Sequence, residues 1–470
     1  MNKHAISILV MCFLVSLPTK AQTTTDSVNL QTLALAALNH NHGLQNSDLD
    51  IKKNEQIKKS IHHVYIPTLE AKGSYAYSAG QFNLNTQQFP VTIPGITLPP
   101  IIPGFPPIQI PSTSTAVPPI DQSIDFNGNI WMGELSAKWT LFTGLKAPYL
   151  SKAMTHKIAA QRQIRKQEEA DLISEVAMYY DKLALLAETK VLLDQQINRL
   201  KQETKVAKKA LEQGLITHHE YQKIELAQLE INAKQLEYDG SKELLILKLY
   251  QLTGVEKEVL LKMKVQLVPR ETGQASQTFL DRPELVALEE ATEATKYKYK
   301  SEFSGYLPQI QAFASHQYLG MTNGNMGNLG INELSAYPVN MVGVGVKWEL
   351  FDGLHTHTER QKAKIEMEQT QIKKEEVQEL LELNYANWVT QYQNLNAQAT
   401  LKKRQMEVAK NSLEISFKEY ENGLIKLSDF LETQTVYTTV SVAYYQTVCN
   451  QRNSALELLK ATGNLQINKL

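Results

Sequence analysis

Cysteine is almost missing from this sequence: 470 residues hold two, Cys12 and Cys449. Cys12 lies in an apolar leader, so the mature chain can form no internal disulfide, and no cysteine stands at the leader's end to carry a lipid. Long apolar runs are missing too. After the stretch from Ala5 to Leu17 nothing is long and apolar enough for a transmembrane helix, so an exported chain that enters a bilayer must do so with strands. An excess of one charge is also lacking, with 48 Lys and Arg against 49 Asp and Glu and no basic stripe, which excludes a nucleic-acid partner. Residues for catalysis or metal binding do not gather. His62-His63 and His218-His219 are adjacent and diverge on a helix, while His355 and His357, two apart, do not share a face. The glycine-rich stretch from Gly320 to Gly330 lacks the lysine and helix start of a phosphate loop and reads as an outward loop. No cofactor and no enzyme activity are expected.

What is present begins with Lys3 and His4 before the apolar run, then Pro18-Thr19-Lys20-Ala21 before Gln22. Residues 1–21 therefore read as a secretory signal peptide cleaved after about Ala21. From Ser27 to about Val64 the pattern is helical, broken by Tyr65-Ile66-Pro67. Thr68 to Ser78 alternates, with Leu69, Ala71, Gly73, Tyr75 and Tyr77 on one face, as a strand with one apolar side. Residues 81–127 hold ten prolines, at 90, 94, 99, 100, 103, 106, 107, 111, 118 and 119. That spacing predicts a long polyproline-like loop. Alternation resumes at Gly128, with Trp131, Gly133, Leu135, Ala137, Trp139 and Leu141 on one face.

From Lys146 to Gln213 there is no glycine, and the one proline, Pro148, sits in the first turn where a missing N–H is harmless. One helix of roughly 100 Å is predicted. Ile173, Val176, Tyr180, Leu183 and Ala187 follow the spacing of a coiled-coil seam, so this rod packs against other rods. It ends at Gly214-Leu215-Ile216, and a second helix starts near Thr217 or His218.

The second half repeats the first. Trp348 to Gly353 copies Trp139 to Gly144, Gly423-Leu424-Ile425 copies Gly214-Leu215-Ile216, and Thr462-Gly463 copies Thr253-Gly254, each at an offset of 209 (348 − 139, 423 − 214, 463 − 254). Tyr306-Leu307-Pro308 copies Tyr65-Ile66-Pro67 at 241 (308 − 67), so the first half's strand-to-strand segment is longer by 241 − 209 = 32 residues. The expected organisation is a signal peptide (1–21), a helix-strand-strand-helix-helix repeat (22–255), a linker (256–281) and a second repeat (282–470). The class is mainly α with a small β part: long coiled-coil hairpins plus four strands. Each strand has about ten residues and suits a tilted membrane strand with lipid on one side and water on the other. Four strands leave two unsatisfied edges in a bilayer, so closure needs further copies, and three chains give a twelve-stranded barrel above an α-helical tunnel.

The stretch from Tyr420 to Gln434 (YENGLIKLSDFLETQ) and its partner from Gly214 to Tyr221 (GLITHHEY), with the constant offset, resemble the TolC family of outer-membrane efflux channels over nearly the whole mature chain. The resemblance implies a homotrimeric channel-tunnel in the outer membrane, its helical part in the periplasm. Its partners would be a periplasmic adaptor (membrane fusion protein) and an inner-membrane RND or ABC pump, and its cargo small molecules such as drugs. The same duct would serve a type I protein secretion system, and a periplasmic coiled-coil adaptor or scaffold is the rival of another class. By resemblance, adaptor-docking tips fall at Gly214, Leu215, Ile216, Gly423, Leu424 and Ile425, where the glycines also terminate helices. A periplasmic gate falls at Asp429, Glu432, Tyr420 and Glu220. Asp429 and Glu432, three apart, share a helix face, and three-fold symmetry makes rings of them. Ile425 stands where the family pattern has a basic latch residue, with Lys426 beside it as a substitute. Trp131, Trp139 and Trp348 are candidate membrane-interface aromatics, and a core role at the barrel-to-tunnel junction suits Trp139 and Trp348 equally.

Overall fold

The computed structural model describes residues 29–470 apart from 94, 99–107, 118–119, 264, 273–278, 326–333, 336–337 and 470. The expected signal peptide lies outside the described residues. In chain order the elements are α1 (Leu30–His40), α2 (His42–His63), β1 (Thr68–Thr86), β2 (Phe89–Ile93), β3 (Ile96–Leu98), β4 (Ile108–Ile110), β5 (Thr113–Val117) and β6 (Ile120–Phe142). They continue as α3 (Lys146–Glu212), α4 (His218–Thr253), α5 (Lys257–Leu261), α6 (Pro283–Ser301), β7 (Gln309–Asn325), β8 (Leu334–Ser335), β9 (Val339–Lys347), α7 (His355–Glu421) and α8 (Leu427–Ala461). The internal repeat survives to the residue in the long helices. Helices α3 and α7 have 67 residues each and start 355 − 146 = 209 apart, and α4 and α8 start 427 − 218 = 209 apart.

The chain divides into two compact units, and both repeats contribute to each. The first unit takes residues up to 52, 158–291 and 371–470 and is helical apart from its connecting segments. Its core joins Leu33, Ala34 and Ala37 of α1 to Ile173, Val176, Ala177, Leu183 and Ala184 of α3, Leu249 and Leu252 of α4, and Val448, Leu456 and Leu459 of α8. The seam expected along α3 holds from Ile173 to Leu183, with Tyr180 packed against the core. It then drifts by one residue, so that Ala184 is buried and Ala187 exposed. A helix of 3.6 residues per turn slips in this way against a strict seven-residue repeat.

The N-terminal helix predicted as one piece is two. Asn41 has an extended backbone (φ −65°, ψ 121°) that closes α1, and its Oδ1 accepts the Leu44 N–H at 3.1 Å to open α2. Between α5 and α6 an extended strap is held by side chains of α8. Gln451 accepts the Arg270 N–H (2.9 Å) and donates to the Arg270 carbonyl (2.7 Å), as a neighbouring strand would. Arg452 donates to the Val268 carbonyl (2.9 Å) and, through Nε and Nη2 (2.9 and 2.7 Å), to Asp181 Oδ1 of α3.

The second unit takes residues 53–157 and 292–370 and carries the main sheet, antiparallel throughout, in which β1, β6, β7 and β9 lie side by side and β8 adds a short pairing to β7. Three of the four main strands exceed the ten residues expected: β1 has 19, β6 has 23 and β7 has 17. The start of the stretch expected as a glycine-rich outward loop, from Gly320 to Asn325, is the end of β7; residues 326–330 lie outside the described residues.

The proline-rich segment also departs from expectation. Its described residues form a ribbon rather than a polyproline loop, with β2 paired to β5 and β3 to β4. From Thr68↔Lys138 through Thr86↔Ile120 and Phe89↔Val117 to Leu98↔Ile108, paired residue numbers always sum to 206, so β1 and β6 continue outward in one unbroken register. Proline is excluded from central strands because it cannot donate to the ladder on both sides. A two-stranded ribbon has only edges, where an absent outward N–H costs nothing.

Candidate functional site

The residues assigned by resemblance to the gate and docking tips lie in the first unit, at two helical turns built alike. Gly214 (φ +70°) and Gly423 (φ +72°) take the left-handed conformation that follows a helix end. Around each, two backbone bonds close the helix: Leu215 N–H to Ala210 O (2.8 Å) with Gly214 N–H to Leu211 O (3.0 Å), and Leu424 N–H to Glu419 O (2.8 Å) with Gly423 N–H to Tyr420 O (2.9 Å). This pattern of crossed bonds satisfies the carbonyls that a helix end leaves bare. It leaves Leu215 and Leu424 as the outermost side chains, 72% and 74% exposed. Such apolar residues held out on a rigid turn are suited to contact with another surface. Ile216 and Ile425 are half-buried; Ile216, with Leu427 of the other turn, packs onto a small cluster of Leu200, Ala207 and Ile224, so the two tips touch.

The four gate candidates differ in surroundings. Glu220 closes a capping box on α4: its carboxylate accepts the Thr217 N–H (3.0 Å) while Thr217 Oγ1 accepts the Glu220 N–H (3.2 Å). The bond from the Thr217 backbone, then that from its hydroxyl, hold this carboxyl below the usual range, and Lys223 and Lys426 add to the effect. Asp429 is the equivalent residue on α8 (220 + 209), but the helix begins there at Lys426, which cannot accept an N–H and forms no side-chain cap. Asp429 instead accepts from Ser428 Oγ at 3.0 Å, and both Asp429 and Glu432 are exposed.

Tyr420 belongs to an interior knot. Its ring stacks on Phe430 (5.5 Å, 10°), and its hydroxyl is pushed up to about 12 by burial, then by the charge of Glu203 and their hydrogen bond. Burial raises the Glu203 carboxyl, opposed by the Tyr420 bond and by Arg199, whose guanidinium lies over Phe417 and Phe430 at 5.1 and 5.6 Å. Glu203 and Arg199, absent from the expected set, tie α3 to α7 and α8 just behind the turns. Their i, i+4 spacing was visible, but charged residues on a long rod read by default as a solvated face.

The aromatic candidates lie in the second unit. Trp139 and Trp348 are exposed and repeat one contact: Trp139 Nε1–H donates to the Tyr65 carbonyl (2.8 Å) and Trp348 Nε1–H to the Tyr306 carbonyl (3.2 Å). Trp139 is in β6, whereas Trp348 lies just past β9. Trp131 stacks on Tyr318 of β7 (4.6 Å) and covers Gly320, where an added Cβ would meet its ring at 2.5 Å. Tyr75 and Tyr77 are exposed on the same sheet face, paired with Trp131 and Asn129. Among the described residues no helix is long and apolar enough to cross a membrane, and no group of three or more His, Cys, Asp or Glu could hold a metal ion.

Residues 275–464 match the family model of the outer membrane efflux protein. No curated protein matches the chain. Among solved structures the chain is similar to the CmeC outer membrane channel of Campylobacter jejuni (TM-score 0.71, 15% identity, 94% of this chain and 88% of that one). It is also similar to the outer membrane protein VceC of Vibrio cholerae (0.67, 16%, 92% and 96%) and to the MtrE outer membrane channel of Neisseria gonorrhoeae (0.66, 16%, 92% and 88%). Residues 275–464 thus carry an outer membrane efflux protein domain, and nearly the whole chain shares the fold of these solved structures.

Proposed function

We propose that three copies of this chain form a passive exit duct through the outer membrane, receiving small molecules from an inner-membrane RND or ABC pump through a periplasmic adaptor. The observation that carries this reading is the sheet. Among the described residues, strands β1, β6, β7 and β9 form an open antiparallel sheet whose outer strands have no further partner, and its odd-numbered β1 face presents Leu69, Tyr75 and Tyr77 to the surroundings. In a bilayer each unpaired backbone group costs several kcal/mol, so the sheet is stable there only when other copies close it. The opposite face, with Glu70, Lys72, Glu134 and Lys138, then lines water. The rows at Trp139 and at Trp131 lie eight residues apart on β6, about 26 Å along the strand and about 20 Å along the bilayer normal at the usual tilt, which suits the two edges of an apolar band.

In this duct the hairpin tips face the periplasm. Leu215 and Leu424 are the adaptor contacts, and Asp429 and Glu432 form acidic rings that favour cations and narrow the entrance. Lys426, whose charge already acts on Glu220, serves as the latch between hairpins. The test is conductance of the detergent-purified trimer in planar bilayers. The variant Asp429→Ala/Glu432→Ala raises the current and weakens cation preference; an unchanged current removes the gate, and a monomeric mass in detergent removes the duct.

A further inference from the structure

The four rods of the first unit differ in charge at one level. Level is counted here in residues from the turn glycine, Gly214 for α3 and α4 and Gly423 for α7 and α8, and the two turns touch. From 10 to 26 residues out, α3 (188–204) balances three acids with three bases, and α8 (433–449) holds no charge. Over the same levels α4 (224–240) sets Glu225, Glu230, Glu237 and Asp239 against Lys234, a net charge of −3. The matching stretch of α7 (397–413) sets Lys402, Lys403, Arg404 and Lys410 against Glu407, a net charge of +3. These two helices are also the flanks of the unit. Lys190 of α3 bonds to Gln235 of α4 (2.7 Å), Gln196 of α3 to Thr438 of α8 (2.5 Å), and Gln451 of α8 to Asn396 of α7 (2.8 Å). Near the turns α3 also meets α7, at Glu203 and Tyr420. Among the described residues no hydrogen bond or ion pair joins α4 to α7.

Each flank also carries an apolar stripe without cover. On α4, Leu226, Leu229, Leu236 and Leu244 are each more than half exposed, while Ile224 and Ile246 are buried. On α7, Leu401, Val408 and Ile415 follow a seven-residue step and are each more than half exposed, beside the buried Ala409 and Leu413. The stripes match in level. Leu229 and Leu236 stand 15 and 22 residues from Gly214 (229 − 214, 236 − 214), and Val408 and Leu401 stand 15 and 22 residues from Gly423 (423 − 408, 423 − 401). We infer that α4 of one copy packs along α7 of the next as an antiparallel coiled-coil seam, with Leu229 opposite Val408 and Leu236 opposite Leu401. This rests on the trimeric reading above, in which the three-fold axis runs along the rods, and rotation about such an axis keeps every residue at its level. The occupant of each stripe is a second copy because step, level and charge all match. A contact between two different flanks, repeated by three-fold rotation, also closes into a ring. One apolar residue per heptad on α7 makes a thin seam, so the flanking charges select the partner: α4 against α4, or α7 against α7, would set like charges side by side.

The test uses paired cysteines in the full-length protein, with Cys449→Ala removing the buried thiol. Leu229→Cys/Val408→Cys and Leu236→Cys/Leu401→Cys are expected to give covalent trimers on denaturing gels after mild oxidation of outer membranes. Leu229→Cys/Leu401→Cys, whose two positions stand seven residues or about 10 Å apart in level, is expected to give several-fold less. Matched pairs that link no better than the shifted pair overturn the seam, and so do links confined to one chain. Charge reversal gives a second readout. Lys403→Glu/Arg404→Glu is expected to lower the trimeric fraction in detergent several-fold, and Glu230→Lys/Glu237→Lys added to it to restore that fraction; a failure to restore overturns the pairing of these two flanks. A trimeric mass with silent matched pairs removes the seam alone and leaves both stripes to another protein, whereas a monomeric mass removes the duct as well.

Discussion

Asp181 of α3 corresponds, 209 residues on, to Thr390 of α7, and Arg452 of α8 corresponds, 209 residues back, to Glu243 of α4. The first pair makes a buried ion bridge, with Asp181 at 1% exposure. The second pair makes no such bridge among the described residues: Thr390 donates to the Ala386 carbonyl of its own helix (2.9 Å), and Glu243 is exposed. Two halves with one backbone plan thus differ in where they bury charge. The difference follows the strap between α5 and α6, which has no counterpart among the described residues of the first half. Arg452 holds its Val268 carbonyl, and neighbouring Gln451 holds both backbone groups of Arg270. Burial pushes the Asp181 carboxyl up while Arg452 pulls it back, so the bridge fixes the strap at a cost in desolvation.

The largest expected effect comes from breaking that asymmetry. Arg452→Ala leaves Asp181 buried without its partner and should destabilise the protein by about 3–5 kcal/mol. Thr390→Ala, at the matching place in the other half, should change stability by no more than about 0.5 kcal/mol. Denaturant melts of the detergent-solubilised protein compare the two directly. Equal effects would mean that the bridge is incidental.

The hairpin tips give the second contrast. Thr217→Ala removes the capping box and should cost about 1 kcal/mol, whereas Lys426→Thr builds one with Asp429 and should stabilise the start of α8 by a similar amount. The pH dependence follows the same division. Glu220 has its carboxyl lowered in the folded state, so its contribution is complete above the ordinary carboxylate range and is lost as pH falls through its own lower value. Hydrogen exchange at residues 218–221 should therefore lose protection in acid, after correction for intrinsic rates, while residues 427–430 change little. Parallel loss at both tips would show that the cap is not what distinguishes them.

Much of this was readable in advance, because the rods obey strong local rules. Freedom from glycine, one tolerated proline and the Gly-Leu-Ile turns placed the ends of α3 and α7 within a residue or two, and the 209 offset tied the halves together. What was not readable depends on partners distant in sequence. Asp181, Arg452, Glu203 and Arg199 sit among dozens of similar polar residues on long helices, and only the packing of α3 against α7 and α8 selects them. The capping signature from Thr217 to Glu220 was legible, yet Glu220 was valued for its charge rather than for its bond. The ribbon was missed for a different reason: the rule against proline in strands applies to strands paired on both sides, and nothing local in residues 89–117 says that each strand has a single neighbour.

The smallest contrast lies where sheet gives way to helix. Leu145 and Leu354 occupy matching positions after Gly144 and Gly353, and both hold φ +68°, a conformation that costs an L-residue about 1–2 kcal/mol. Glycine removes that strain but adds freedom to the unfolded chain, worth about 0.5–1 kcal/mol the other way. What remains is decided by lost contact, and here the halves differ: Leu145 is 38% exposed and Leu354 61%. Leu354→Gly should therefore raise the melting temperature slightly, by less than about 1 °C for a gain of a few tenths of a kcal/mol. Leu145→Gly, which gives up more buried surface for the same relief, should leave the melting temperature unchanged or lower it. If the two variants shift it equally, backbone strain alone governs the junction, and the greater cover over Leu145 adds nothing to its stability.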